Sequence, residues 1–477
     1  MSKTIAIEPL TRVEGHLKVE THVENGRVSE AFISGQMYRG FEKFLENRHP
    51  VDAARIAQRV CGVCHEVHGI ASIMALEELY NKKPTPNGHI LRDLILGMHL
   101  ITDHFLHFYT LSVPDFVDFT QILNYKGNDT NINSLKNWVI KTKPKFVLNR
   151  NEGNYITDTD TCLRIVNNYF QALKIRSMGA SGIALLGGKA PFTHAVLPGG
   201  VTTDITPDRL IQYHKVLESI KNFTINSYIP DVLAVAKRFP EYFDIGVSYN
   251  NFYANETFNA IGDPLFRGGM VISGNNENFD FQHVKEFYDT SFYDDRGNPS
   301  PKKEGAYSWT KSPRYKGEPV EVGPLARMIV NKDEYFEKTM RGLGAKVQSS
   351  TMGRHVARAV ESRNILDHLY KLLDAYKIGE PTIDQIDFSS KVSGRGNGFS
   401  IAARGALIHQ IEARDGLITK YNMIVPSTWN FGPEAQGKAG VVEKSIIGTP
   451  VAYSDNNSIE VGRVIRSYDP CTACSIH

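Results

Sequence analysis

From Thr4 to about Ser34 apolar and polar residues alternate, and Asn25-Gly26 interrupts the alternation between His16–Val23 and Arg27–Ile33. A period of two broken by Asn-Gly predicts a β-hairpin over about residues 4–34. The period then lengthens. From about Val51 to Tyr80, and from His89 to Leu111 with Leu94, Met98, Ile101, Phe105 and Phe108 three and four apart, the spacing predicts core-facing helices. Thr206 ahead of Pro207 predicts a capped helix start, with Leu210, Tyr213, Leu217 and Ile220 on one face. Helical spacing returns from about Glu334 to Tyr376, strands are predicted from Ser400 to Val425 around Asp415-Gly416, and a last helix from about Ser458 to Ser467. Between about 239 and 323, Gly, Asn, Asp and aromatic residues replace helical runs, which predicts loops and short hairpins inserted into the fold. No internal repeat or Pro/Ser-rich linker divides the chain. The expectation is a mainly helical α+β fold in which residues 1–477 form one large unit, with a long-helix bundle core and peripheral hairpins and short sheets.

Composition narrows the class. With 477 residues, 41% hydrophobic and 22% charged, the chain has an ordinary globular balance rather than that of a disordered segment. Lys+Arg 54 against Asp+Glu 52 leaves a net charge of +2, too weak a field to recruit nucleic acid or an anionic membrane. Apolar runs such as Val232–Ala236 fall far short of the roughly 20 residues of a membrane span. The first residues lack the apolar stretch of a signal peptide, so a cytoplasmic location is expected unless a partner carries the export signal.

The five cysteines form two C-x-x-C pairs, Cys61/Cys64 and Cys471/Cys474, plus Cys162. Cys64 and Cys471 are 407 positions apart, whereas a zinc ribbon repeats its pair after roughly 15 to 20 residues. Four thiolates suit soft or borderline ions such as nickel, iron or zinc. The pairs alone leave structural zinc, a redox dithiol and a catalytic metal open. Cys162, with no neighbouring thiol in sequence, reads as a small buried hydrophobe. His65, His99, His104 and His107 lie on apolar helical stretches, where capping, pairing or packing is expected rather than metal binding.

Context changes the picture. The first pair lies in Arg59-Val-Cys-Gly-Val-Cys-His-Glu-Val-His68 and the second in Asp469-Pro-Cys-Thr-Ala-Cys-Ser-Ile-His477. These segments resemble the R-x-C-G-x-C-x-x-x-H and D-P-C-x-x-C-x-x-H signatures of nickel-iron hydrogenase large subunits. Further family-like segments follow in order: Arg12-Val-Glu-Gly-His16, Arg39-Gly-Phe-Glu42, Pro198-Gly-Gly-Val201, Pro313-Arg-Tyr315, Glu321-Val-Gly-Pro-Leu-Ala-Arg327, Gly353-Arg-His355, Arg404-Gly-Ala-Leu407 and Val425-Pro-Ser-Thr-Trp-Asn430. The resemblance covers nearly the whole chain, and its wording is nearest to the respiratory uptake type.

The resemblance implies a catalytic subunit that splits dihydrogen reversibly and heterolytically. It makes Cys61 and Cys471 terminal nickel ligands, and Cys64 and Cys474 bridges to an iron carrying cyanide and carbon monoxide. Arg404 would sit over the metals, held by Asp103 and Asp469, while Pro426 and Ser427 would contact a cyanide. The family commonly has Pro where this chain has Ala403. Glu14 would relay protons, and His68 would donate to a bridging sulfur. Glu42, the Met423 carbonyl and His477 would hold magnesium or a similar ion. Whether Arg404 or a cysteine is the base stays open. Val63 and Leu111 match the narrow point of the family's gas channel, where dihydrogen sensors tend to be bulkier; a sensor and a zinc-stabilised non-catalytic subunit are the rival readings. An iron-sulfur small subunit is the implied partner in a heterodimer, with a periplasmic or membrane-associated location through that subunit.

Overall fold

The computed structural model describes residues 3–144, 152–452 and 458–477. The N-terminal alternation becomes the strands Leu17–Glu24 and Arg27–Gly35. They are turned by Asn25 and Gly26, whose φ values of 51° and 73° are the left-handed pair that a two-residue hairpin loop needs. An outer strand, Lys3–Ile7, adds antiparallel to the first, so the hairpin is part of a three-stranded sheet. The sheet's buried face, including Leu17, Val19, Val28 and Ile33, closes on Val461, Val464 and Ile465 of the helix Ile459–Ser467. This packing carries the two ends of the chain to one place.

The main core is built on the helices Pro86–Phe105, Thr159–Gly187, Pro207–Phe223 and Thr351–Ala375. The 86–105 helix packs on both 159–187 and 351–375, and 159–187 packs on 207–223. Thr85, Asp158 and Ser350 each accept a backbone N–H of the first turn, satisfying donors the helix itself cannot. Thr206 takes the extended cap conformation without a side-chain capping bond, so Pro207 alone pre-sets that start. With its small sheets around a helical core, the fold is α+β.

Three readings of the periodicity change. Residues 51–80 are not one helix: short turns Pro50–Asp52, Ala53–Ala57 and Gln58–Val60 end at Cys61, which is extended, and regular helix resumes at His65–Leu79. The cause lies at the thiol, because the amides of Val63 and Cys64 turn 3.2 and 3.5 Å toward Cys61 Sγ rather than to carbonyls. The stretch 334–376 divides into Glu334–Gly342 and Thr351–Ala375, with Gly344 left-handed between them. The C-terminal alternation starts earlier than Ser400 and has three strands, Gly394–Ala402, Gly405–Arg414 and Leu417–Ile424, the last two turned at Asp415-Gly416. The helices Thr130–Thr142 and Thr159–Gly187 lie outside the periodicity reading altogether. The 239–323 stretch holds short strands, among them Phe252–Ala254, Gly269–Ile272 and Ser312–Tyr315.

The 65–79 helix lies against the C-terminal sheet at very short range, since a Cβ at Gly398 would come 1.8 Å from the Ala71 carbonyl oxygen. Among the described residues, no helix is long and apolar enough to cross a membrane.

Candidate metal centre

Two remote loops meet between the sheets. Cys61 and Cys64 come from the break before the 65–79 helix, and Cys471 and Cys474 flank the first turn of Thr472–Ser475. Their four Sγ atoms lie within 4.8 Å of one another, with Cys64–Cys474 at 2.9 Å, Cys471–Cys474 at 2.7 Å and Cys61–Cys471 at 3.4 Å. All four are buried. Among the described residues this is the one group of three or more His, Cys, Asp or Glu side chains whose ligand atoms converge in this way. Arg39, not anticipated as a site residue, ties the loops together by donating to the carbonyls of Val60 and Ala473, each at 2.5 Å.

The segment around Glu14 lies parallel to the second loop. The Glu14 amide donates to the Pro470 carbonyl, and the Thr472 amide donates to the Glu14 carbonyl at 2.9 Å. Glu14 Oε2 thereby accepts from the Ala473 amide and sits 3.1 Å from Cys471 Sγ. Burial, with the nearby Cys61 sulfur, raises its pKa above the usual carboxylate range.

Arg404 occupies a tight turn, the two-residue loop Ala403-Arg404 between paired Ala402 and Gly405. Its guanidinium is buried, 3.0 Å from Asp469 Oδ1 and 3.6 Å from Asp103 Oδ2. Nε and Nη1 have no hydrogen-bond acceptor among the described residues. Such donors are costly to leave unmade in a buried site, and they suit a small acceptor or anion above the sulfurs. Pro426 starts the short helix Pro426–Phe431, and Ser427 Oγ accepts from the Cys471 amide at 3.0 Å.

His68 lies on the 65–79 helix with Nε2 3.4 Å from Cys474 Sγ. Its Nδ1 is 3.0 Å from His409 Nε2, a residue the sequence reading missed. An imidazole on the otherwise apolar buried face of its strand, between Leu407 and Ile411, was the available signal. Burial holds His68 down to about 3 and His409 well below its ordinary value, so both rings are neutral.

Of the residues expected at a hard ion, Glu42 and His477 meet, while Met423 reaches Glu42 through its amide and not the expected carbonyl. Glu42 Oε1 lies 3.0 Å from His477 Nε2 and accepts from Met423 at 2.9 Å, through its amide N–H. Lys311, unanticipated, contacts both Glu42 oxygens at 2.8 and 2.9 Å and Asn422 at 3.1 Å. Burial opposes the Glu42 charge, yet Lys311 and His477 outweigh it and keep the carboxyl below the usual range. The other histidines do not join the sulfurs: His65 Nδ1 lies 3.1 Å from the Gly62 carbonyl, His99 faces Asp103, His104 pairs with Glu361, and His107 meets the Arg466 carbonyl. The Cys162 thiol donates to the Ile156 carbonyl.

The donor chemistry fits a cationic metal cluster. Burial raises Cys64 to about 11 and drives Cys471 and Cys474 well above the ordinary thiol value, while hydrogen bonds from Cys471 and the other thiols pull Cys61 well below it. Only strong positive charge at the sulfurs makes four buried thiolates compatible, and soft metals supply it. A family model described as nickel-dependent hydrogenase matches residues 39–477, and one described as HoxL-like matches residues 4–34. The chain belongs to the nickel-dependent hydrogenase family, as a large subunit. It is 35% identical over 502 residues to the periplasmic [NiFeSe] hydrogenase large subunit of Desulfomicrobium baculatum, covering 99% of this chain and 94% of that protein. It is 32% identical to the hydrogenase-2 large chain of Escherichia coli K12, covering 100% and 97%. The solved [NiFeSe] hydrogenase of Desulfovibrio vulgaris Hildenborough, as its G491S variant, superposes with a TM-score of 0.90 at 34% identity over 100% of both chains. The cofactor of such a large subunit is a nickel-iron centre whose iron carries carbon monoxide and cyanide, and the four-cysteine cluster is the metal-binding site for it.

Proposed function

We propose that this hydrogenase large subunit is the catalytic half of a heterodimer that cleaves dihydrogen heterolytically and reversibly. The observation that carries the reading is Glu14 Oε2 at 3.1 Å from Cys471 Sγ, a proton acceptor built directly against a cluster of four buried sulfurs. When bound, the metal pair supplies a Lewis-acidic, redox-active site at which dihydrogen can be polarised and split. In this reading Cys61 and Cys471 would hold nickel alone, and Cys64 and Cys474 would be shared between nickel and iron. Arg404, held by Asp469 and Asp103, would offer its unpaired N–H groups to a cyanide. Pro426 and Ser427 close the other side, and His68 donates to the Cys474 sulfur. A proton arriving at Cys471 Sγ passes to Glu14 Oε2, whose burial favours taking it up. Glu42, the Met423 carbonyl and His477 would hold a magnesium or similar ion, since oxygen ligands suit a hard cation.

Electrons leave through a partner. Beyond the four committed thiols this chain has only Cys162, whereas an iron-sulfur cluster takes about four cysteines. An iron-sulfur small subunit therefore completes the enzyme, and export with that subunit agrees with the periplasmic location stated for the Desulfomicrobium relative. The purified dimer should contain nickel and iron, reduce a viologen dye under dihydrogen, and lose both metals in Cys474→Ser. Zinc alone at the cysteines, or normal nickel in Cys474→Ser, would overturn the proposal.

A further inference from the structure

Two of the sequence segments, Glu321–Arg327 and Gly353–His355, supply no group to the proposed chemistry, yet they meet beside it. Glu321, in the two-residue strand Glu321–Val322, accepts from Arg354 Nε at 2.8 Å and from its Nη2 at 3.0 Å, and both side chains are buried. Such a two-point pair has a fixed geometry. The same guanidinium lies 3.5 Å from the centre of the Tyr468 ring, donates to the Tyr468 hydroxyl, and reaches Ser467 Oγ at 3.3 Å. Asp469 follows directly in the left-handed region, at φ 58°, and its Oδ1 accepts from Arg404. A non-glycine residue keeps that conformation only where its surroundings enforce it.

The backbone of the same segment bears on the other elements around Arg404. A Cβ at Gly405 would lie 2.7 Å from the Gly323 amide nitrogen and 2.6 Å from Val322 Cγ2, so the turn that carries Arg404 rests directly on residues 322 and 323. Asn430, buried in the helix Pro426–Phe431, accepts from the Val322 amide at 3.1 Å and donates to the Val322 carbonyl at 3.0 Å, pairing with it as a neighbouring strand would. That helix begins with Pro426 and Ser427. One short segment thus touches the Arg404 turn by its backbone, the 426–431 helix through Asn430 and the Asp469 turn through Arg354. Packing this close transmits any slack in one contact to the others.

We infer that Glu321, Arg354 and Asn430 are positioning residues: with Val322 and Gly323 they brace the Arg404 turn, the Asp469 turn and the start of the 426–431 helix at fixed separations, and so set where Arg404 and Ser427 present their donors. The inference deepens the reading of Arg404 and Ser427 as cyanide contacts and rests on it. Partners behind the residues at a metal site tune the metal through them. A hydrogen bond to a cyanide nitrogen draws density from iron, so slackening the brace enriches the iron and lowers the stretching frequencies of its cyanide and carbon monoxide.

The test is infrared spectroscopy of the assembled heterodimer in one defined redox state, with nickel and iron measured on the same samples. Glu321→Gln keeps the shape and removes the charge that fixes Arg354, and Asn430→Ala removes both bonds to Val322. Both should show cyanide and carbon monoxide bands displaced to lower frequency at wild-type nickel and iron content, since the four cysteines are untouched. Glu77→Gln is the control: it breaks another buried two-point pair, Glu77–Arg92 at 2.8 and 3.0 Å, whose further bonds run to Gly199 and Leu197. Its bands should stay at the wild-type positions. Unmoved bands in either brace variant, or an equal displacement in Glu77→Gln, would overturn the inference. Should a brace variant not assemble, Tyr468→Phe, which takes one hydroxyl partner from Arg354, is read in its place with the same two outcomes. Arg404→Lys separates the levels: unmoved bands there would sink the cyanide contact itself, and a wild-type dimer without diatomic-ligand bands the proposed function.

Discussion

Glu14 is the residue on which the proposed chemistry turns, and a lone glutamate between two strands carries no such message by itself. Its role follows from backbone pairing with the segment Pro470–Thr472, which places its carboxyl against Cys471 at 3.1 Å. Glu14→Gln keeps the acceptor for the Ala473 amide and removes proton exchange. Steady dihydrogen oxidation should therefore fall roughly 100-fold or more, while nickel content and the interconversion of para and ortho dihydrogen persist. Oxidation at the wild-type rate would exclude Glu14 from the proton path. At this scale the sequence exposed residues set in dense local motifs, such as the four thiols. It hid Arg39, Lys311 and His409 as site residues, because their meaning lies in partners hundreds of positions away, as with Arg39 and Ala473, 434 apart.

Among the elements, the 65–79 helix and the C-terminal sheet form the plate on which half of the centre rests. Their closeness depends on Gly398, where any side chain meets the Ala71 carbonyl backbone. Gly398→Ala should force strand and helix apart, destabilise the protein by about 1–3 kcal/mol, and lower nickel content, since the same helix carries His68. A thermal midpoint and metal content equal to wild type would refute this. Periodicity located the 86–105, 207–223 and 351–375 helices, though not 159–187, and both hairpins because each buries one face, the property that apolar spacing reports. It ran residues 51–80 together as one helix because the break is imposed by amides turning to a sulfur, an interaction absent from any apolar pattern. The start of the C-terminal sheet escaped for a related reason: Gly394–Ala402 is rich in glycine and polar residues, and it is strand by virtue of its neighbour.

For the whole molecule, bringing opposite ends of the chain to one site means that stability and cofactor retention are coupled, and buried charge sets how both respond to pH. Asp93, in the 86–105 helix, accepts from the Ala260 amide and so fastens the loop-rich stretch to the helical core. Burial pushes its carboxyl up to about 7, against the opposing pull of the Ala260 amide and Arg92; His89, 4.0 Å away, is itself held down to about 4 and stays neutral near pH 7. A carboxyl whose folded value exceeds its unfolded one binds more protons when folded. Its stabilisation is complete below about pH 4 and is lost as pH rises through about 7. At the acid limit the sign reverses for Glu361, held at about 2 with Arg327 and His104 as partners despite its burial, whose contribution is lost as pH falls below the ordinary carboxylate range. Asp93→Asn keeps an acceptor for Ala260 and removes the titration. Between pH 5 and 8 the wild-type protein should therefore lose stability more steeply than Asp93→Asn, by a difference on the order of a few kcal/mol, read from thermal or denaturant midpoints across that range. Parallel profiles for the two proteins would show that Asp93 is ionised throughout and that the pH response arises elsewhere.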